Sequence, residues 1–310
     1  MPLLDETASG VFTIAVTPFK PDGALDLDSL DSMVDFYVSK GATGLTILGI
    51  MGEAGKLSGA EAIAVVRRVV ARTDLPVVVG VSAAGLAQMK SLAEEAMEAG
   101  AVGVLVAPPW TLKTDGQIVS YYHQVAEALG PIPFVLQDFP LVTGVEVPVE
   151  VILKIVEDCP TCVMLKHEDW PGLEKISALR TASDAGARRI SILCGNGGQF
   201  LPEEMLRGAD GAMTGFAYPE MMAQVVAAHG AGDLDRMRDI FDIYLPLVRY
   251  ESQPGLGLAV RKHILAGRGA IAHATLRKPG KALSPAAVTE VEAILARQRA
   301  RLEAAGLPVD

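Results

Sequence analysis

The feature that most restricts how this chain can fold is a strict alternation. Eight short apolar runs, each ending in Gly, Pro or a polar residue, cover 11–18, 44–49, 76–82, 103–109, 133–140, 163–168, 191–196 and 211–216. Segments of helical period lie between and after them, at 27–40, 58–73, 86–99, 115–129, 148–157, 172–183, 199–207 and 219–229. The runs are nearly all-apolar rather than alternating, the pattern of strands covered on both faces. Eight equal units within about 230 residues match a TIM barrel, which takes ~250. A doubly wound sheet is the competitor, but it rarely needs eight equal units, and no G-x-G-x-x-G follows the first run. The expected fold is therefore an α/β TIM (β/α)8 barrel over 1–230. Three more helical segments, 233–250, 255–267 and 285–304, predict a C-terminal helical extension over 231–310 that packs on the barrel. Several helices carry start signals. Ser58 precedes Glu61 at capping-box spacing, and Asp115, Pro148 and Pro219 suit a first turn.

Charge narrows the function. Lys plus Arg number 27 and Asp plus Glu 37, for a net −10, so the basic footprint of a nucleic-acid binder is missing. A locally positive pocket for a small anion stays open. No apolar run reaches the ~18 residues of a membrane span, and "MPLLDETASG" lacks the basic and apolar regions of a signal peptide. A soluble cytoplasmic protein is expected. Three cysteines are too few and too odd for a disulfide framework. Cys159 and Cys162 do spell C-x-x-C, but after a helix and before a strand, the reverse of the redox arrangement. Zinc would need two further ligands, and the histidines show no metal spacing. These thiols read as packing groups, and no metal is expected. "KPGK", at 278–281, reads as a surface turn, since the P-loop pattern is absent.

The sixth run, "VMLKHE", ends on a lysine. Side chains alternate along a strand, so Met164, Lys166 and Glu168 share one face, and Leu165 and His167 the other. Barrel enzymes place their chemistry at the C-terminal strand ends. An inward Lys166 would stand at the mouth above apolar side chains, where desolvation favours the neutral amine. Such an amine attacks carbonyls to form an imine, which then acts as an electron sink. The alternative is a lysine that snorkels to solvent, and periodicity alone leaves the two open.

At these residues the sequence resembles the dihydrodipicolinate synthase and N-acetylneuraminate lyase family of class I aldolases. The resemblance begins with "VFTIAVTPFKPDGALDLDSL" and continues through "GLTILGIMGEAGKLS", where Gly49, Gly52 and Glu53 match G-x-x-G-E. "PVVVGVSAAG", "GVLVAPPW", "VMLKHE", "ILCGNGGQFL" and "GADGAMTGFAYP" follow in the family's order. The resemblance implies that Lys166 faces inward and forms an imine with a 2-oxo acid, pyruvate or a sugar-derived relative. It implies no cofactor and a homo-oligomer, tetramer or dimer. The substrate carboxylate would rest on the N–H groups of Ile50 and Met51, with Gly195 and Met213 lining the pocket.

The departures from the family carry as much weight. Gln137 stands where a proton-shuttling tyrosine is usual, Thr111 where a second tyrosine of the synthase branch stands, and Ile50 where a hydroxyl is usual. Val142 replaces the arginine that grips a second carboxylate. Gln137 can hydrogen-bond but cannot titrate near neutral pH, so it would orient the substrate. Glu168 is the candidate to take over acid–base work, because a partly apolar mouth can keep a carboxylic acid protonated. Asp138 and His167 have the wrong parity for the interior. A true dihydrodipicolinate synthase is therefore not expected; an aldolase or lyase on another 2-oxo acid is. Two alternatives remain: a binding protein that keeps the pocket without turnover, and a barrel enzyme that holds a phosphorylated ligand at "CGNGG" without an imine.

Overall fold

The computed structural model describes residues 1–170 and 172–309. Among them, eight parallel strands close into a barrel in sequence order. They are β1 (Gly10–Ile14), β2 (Gly44–Ile47), β3 (Val77–Gly80), β4 (Gly103–Val106), β5 (Phe134–Asp138), β6 (Cys162–His167), β7 (Ser191–Cys194) and β8 (Gly211–Ala212). The covering helices are α1 (Leu27–Ser39), α2 (Gly59–Arg72), α3 (Leu86–Ala99), α4 (Asp115–Leu129), α6 (Val149–Asp158), α7 (Leu173–Asp184), α8 (Leu201–Leu206) and α9 (Pro219–Gly230). A one-turn helix, α5 (Pro140–Thr143), caps β5. Three helices follow the barrel: α10 (Leu234–Glu251), α11 (Gly257–Gly267) and α12 (Pro285–Ala304).

The strands are shorter than the apolar runs. The run at 133–140 ends as strand at Asp138, because Pro140 has no N–H for a ladder and instead starts α5. The run at 211–216 keeps only Gly211 and Ala212 as strand. Here β8 closes on β1, and a Cβ on Gly211 would lie 1.9 Å from the Gly10 carbonyl oxygen. With its φ of 149°, this position accepts only glycine without strain. The local start signals work as written. Ser58 and Glu61 form a reciprocal capping box on α2, and Thr114 with Gln117 does the same for α4.

Two apolar layers result. Outward side chains such as Leu45, Val79, Val104, Leu136, Leu165 and Ile192 pack on the helices. Inward ones, including Phe12, Ile14, Val78, Leu105, Val135, Met164, Leu193 and Met213, fill the barrel. Leu4 closes the lower end, its N–H bonded to the Val102 carbonyl. The filled barrel leaves chemistry to the upper, C-terminal face.

The C-terminal helices are tied to that face by buried charge. Lys262 of α11 is fully buried, and its ammonium lies 2.6 Å from Glu53 Oε1. It also donates to the carbonyls of Thr17 (2.7 Å) and Thr275 (2.9 Å) and sits over the Phe19 ring. Arg261, beside it, pairs with buried Glu251 at 2.6 Å, and that carboxylate accepts the Ala217 N–H.

Candidate active site

β5 and β6 run side by side with Gln137 opposite Lys166. Lys166 follows Met164 on the inner face of β6, one layer nearer the mouth, and is 5% exposed. Glu168 comes two residues later, and its backbone N–H still bonds to the Asp138 carbonyl at 2.8 Å. Its carboxylate therefore turns back over the barrel. Glu168 Oε2 lies 2.9 Å from Lys166 Nζ and accepts a 2.7 Å hydrogen bond from Gln137 Nε2.

This geometry corrects two expectations. The amine does not stand alone among apolar groups, because a carboxylate faces it and compensates the desolvation of the ammonium. Gln137 donates to Glu168 rather than waiting free for a substrate. The three residues form one buried unit in which a proton on Lys166 has an acceptor at hydrogen-bond distance.

The loop after β7 holds the other side of Glu168. Asn196 donates its side-chain amide to the Glu168 carbonyl at 2.9 Å, and its backbone N–H approaches Glu168 Oε1 at 3.4 Å. A Cβ on Gly195 would lie 2.1 Å from Glu168 Cγ, so only glycine leaves room for this carboxylate. Gly195 thus walls the site through Glu168. In the same loop the Gly197 N–H is bonded to Thr214 Oγ1 at 2.8 Å. Two N–H groups of "CGNGG" are turned to partners within the protein, which weakens its reading as a phosphate cradle.

Ile50 and Met51 form a single 3₁₀ turn with Gly52 after β2. The Met51 side chain packs on the inner barrel layer, whereas that of Ile50 is exposed. Met213 is fully buried in the inner layer. Leu48, Glu53 and Asn196 adopt positive φ of 56°, 55° and 51°, and all three lie in loops of the mouth. Non-glycine residues pay for that conformation, which is typical of backbone shaped around a site. Glu53 is the buried anchor of this turn, ion-paired to Lys262 and to Lys56 at 2.8 Å, while Thr17 Oγ1 donates to the Gly52 carbonyl at 2.6 Å.

Asp138 and His167 project to the helix side. Lys175 of α7 bridges Asp138 at 2.8 Å and Asp169 at 2.6 Å. Both ring nitrogens of buried His167 lack a hydrogen-bond partner, as does Glu204 Oε2 of α8. Burial pushes the Glu204 carboxyl up to about 7, against the opposing pull of His167 and of the Cys194 thiol. Nothing in the sequence marks Glu204, because its environment is assembled from β6, β7 and α8. The thiols are inert: all three are free and buried, and burial pushes Cys162 up to about 12 and Cys194 well above its usual value. Among the described residues, no group of three or more His, Cys, Asp or Glu is placed to hold a metal.

A family model described as the dihydrodipicolinate synthetase family matches residues 7–298. The chain belongs to that family. It is 33% identical over 231 residues to a 4-hydroxy-tetrahydrodipicolinate synthase of Sorangium cellulosum, covering 73% of this chain and 75% of the relative. It is 29% identical over 234 residues to a probable 2-dehydro-3-deoxy-D-pentonate aldolase of Escherichia coli K12, covering 73% and 76%. The crystal structure of a dihydrodipicolinate synthase from Rhodopseudomonas palustris superposes with a TM-score of 0.94 at 51% identity, over 96% of this chain and all of that one. Synthases and aldolases of this family are lyases, and this member is an enzyme of the lyase kind. None of its described helices is long and apolar enough to cross a membrane.

Proposed function

We propose that this family member is a class I aldolase that acts on a 2-oxo acid through an imine on Lys166, and that it is not a 4-hydroxy-tetrahydrodipicolinate synthase. The observation that carries the reading is the buried Lys166–Glu168 pair, 2.9 Å apart at the end of β6. Lys166 passes its proton to Glu168 and attacks the C2 carbonyl of a substrate whose carboxylate rests on the Ile50 and Met51 N–H groups. Glu168 returns the proton to the departing oxygen, water leaves, and an iminium faces a carboxylate. In the cleavage direction Glu168 then takes the proton of a C4 hydroxyl, the C3–C4 bond breaks, and its electron pair moves to the iminium nitrogen. An aldehyde departs and an enamine remains. Glu168 protonates the enamine at C3, and water releases the shortened oxo acid and restores the ion pair. Gln137 cannot titrate, so its part is to hold Glu168 over the amine. Met213 and Gly195 wall the pocket. Three buried free thiols fit a reducing, cytoplasmic setting.

The second half of the proposal rests on replacements. Gln137, Thr111 and Ile50 stand at the family's relay positions, and Val142, half-exposed on α5, stands where the resemblance puts the arginine of the distal carboxylate. A carboxylate there would lose a charge-assisted partner.

Borohydride trapping with pyruvate and a panel of 2-oxo acids, read by intact mass, tests the imine. An adduct on the native protein that disappears in Lys166→Ala is expected. Glu168→Gln should still trap on long incubation but turn over roughly 10²- to 10⁴-fold more slowly. A native protein that traps nothing would sink the imine, and trapping without turnover on any substrate would mark a binding protein. Synthase activity at the level of the named relatives would overturn the second half.

A further inference from the structure

Both tryptophans of this chain stand exposed on the barrel mouth. Trp110 follows β4, Leu141 and Val142 lie on α5 after β5, Trp170 follows β6, and Phe200 follows β7. These four strands are consecutive in the closed barrel, so their loops form an unbroken arc, and Gln137 and Lys166 sit on its two middle strands. The five side chains are between 39% and 71% exposed. A soluble chain rarely leaves so many large apolar groups in one place without use. Trp170 and Phe200 are already in contact, with ring centroids 4.9 Å apart and planes tilted by 58°.

The arc offers little to a polar group. Asp169, beside Trp170, is bound to Lys175, and Lys113 lies over the Trp110 ring, 5.6 Å from its centre. Across an eight-stranded barrel from β6 stands β2, which carries the turn of Ile50 and Met51. A 2-oxo acid with its carboxylate on that turn and C2 at Lys166 must send the rest of its chain out of the mouth. We infer that the arc of Trp110, Leu141, Val142, Trp170 and Phe200 is a specificity subsite for an apolar, aromatic or branched, group carried beyond the reacting carbons. The position of C2 in this inference rests on the imine reading; the apolar preference does not. The mouth would then follow the common design of ligand sites, an apolar wall around a few placed polar groups.

The test compares 4-phenyl-2-oxobutanoate with 2-oxoglutarate, an acidic oxo acid, in two measurements. Calorimetry on the native protein and on Lys166→Ala, which cannot form an imine, reads affinity. Borohydride trapping reads imine formation. The phenyl compound should bind at least about tenfold more tightly to both proteins, less than full burial of a phenyl group supplies. The double variant Trp170→Ala/Phe200→Ala should bring that ratio to within about threefold. Equal affinities, a preference for 2-oxoglutarate, or a ratio untouched by the double variant would overturn the subsite. A double variant that breaks a larger assembly into smaller species would show the arc to be a contact between copies of the chain, and would overturn it too. Failure of trapping with intact calorimetric preference would remove the imine and leave the subsite standing.

Discussion

Replacing Glu204 by glutamine should stabilise the protein in a pH-dependent way. The carboxyl sits in α8 against the outer face of the barrel, 7% exposed, with Oε2 lacking a partner. Its surroundings are His167, the Cys194 thiol, Glu203 and Glu168, and desolvation dominates, pushing the carboxyl from 4.5 to about 7. The folded chain therefore holds this proton more tightly than the unfolded chain. Between pH 4.5 and 7 the native state binds more protons, so stability falls as pH rises through that window. The difference, about 7 minus 4.5, is ~2.5 units, and at ~1.4 kcal/mol per unit the loss is about 3 kcal/mol once both states are ionised. Glutamine cannot ionise and loses nothing. For a chain of this size that is roughly 5 °C in Tm. Melting curves of native and Glu204→Gln protein at pH 5 and pH 8.5 read the effect, since other groups cancel in the difference. The amide may be better or worse accommodated at pH 5, but that offset is constant, and the change in the gap between the two pH values is the quantity predicted. A gap that stays flat from pH 5 to 8.5, or moves the other way, refutes the buried, proton-holding carboxyl.

Three further outcomes follow from the same contacts. Gly195→Ala puts a methyl group 2.1 Å from Glu168 Cγ, so the carboxylate must leave Lys166; turnover should fall by roughly 10² or more with the circular dichroism spectrum unchanged, and steady-state kinetics at native level would contradict the role given to Glu168. Lys262→Met leaves Glu53 buried without its main partner and should cost about 3–5 kcal/mol in denaturant unfolding; much of this should return in the double variant Lys262→Met/Glu53→Gln, and an absent penalty would deny the anchor. Ellman's reagent should find no fast-reacting thiol in the folded protein and three after denaturation, so one rapid equivalent in the native state would contradict the burial of Cys159, Cys162 and Cys194.

What the sequence alone determined is whatever depends on local spacing. Period two against period 3.6, Gly and Pro at the ends of runs, and Ser58 with Glu61 are short-range signals. They place the eight units, the three later helices and the inward face of Met164, Lys166 and Glu168. Strand ends were legible less well, since an apolar run continues past the last ladder bond wherever Pro140 or the β8–β1 seam interrupts pairing. Partners across the chain were decided only by tertiary structure. Lys262 meets Glu53 from 209 residues away, and Glu168 is held by Gln137 and Asn196 from the two neighbouring strands. The physical reason is that a side chain's identity states which charges and hydrogen bonds it can make, whereas barrel closure chooses which groups stand within 3 Å. That choice turned an amine expected to be bare into half of an ion pair.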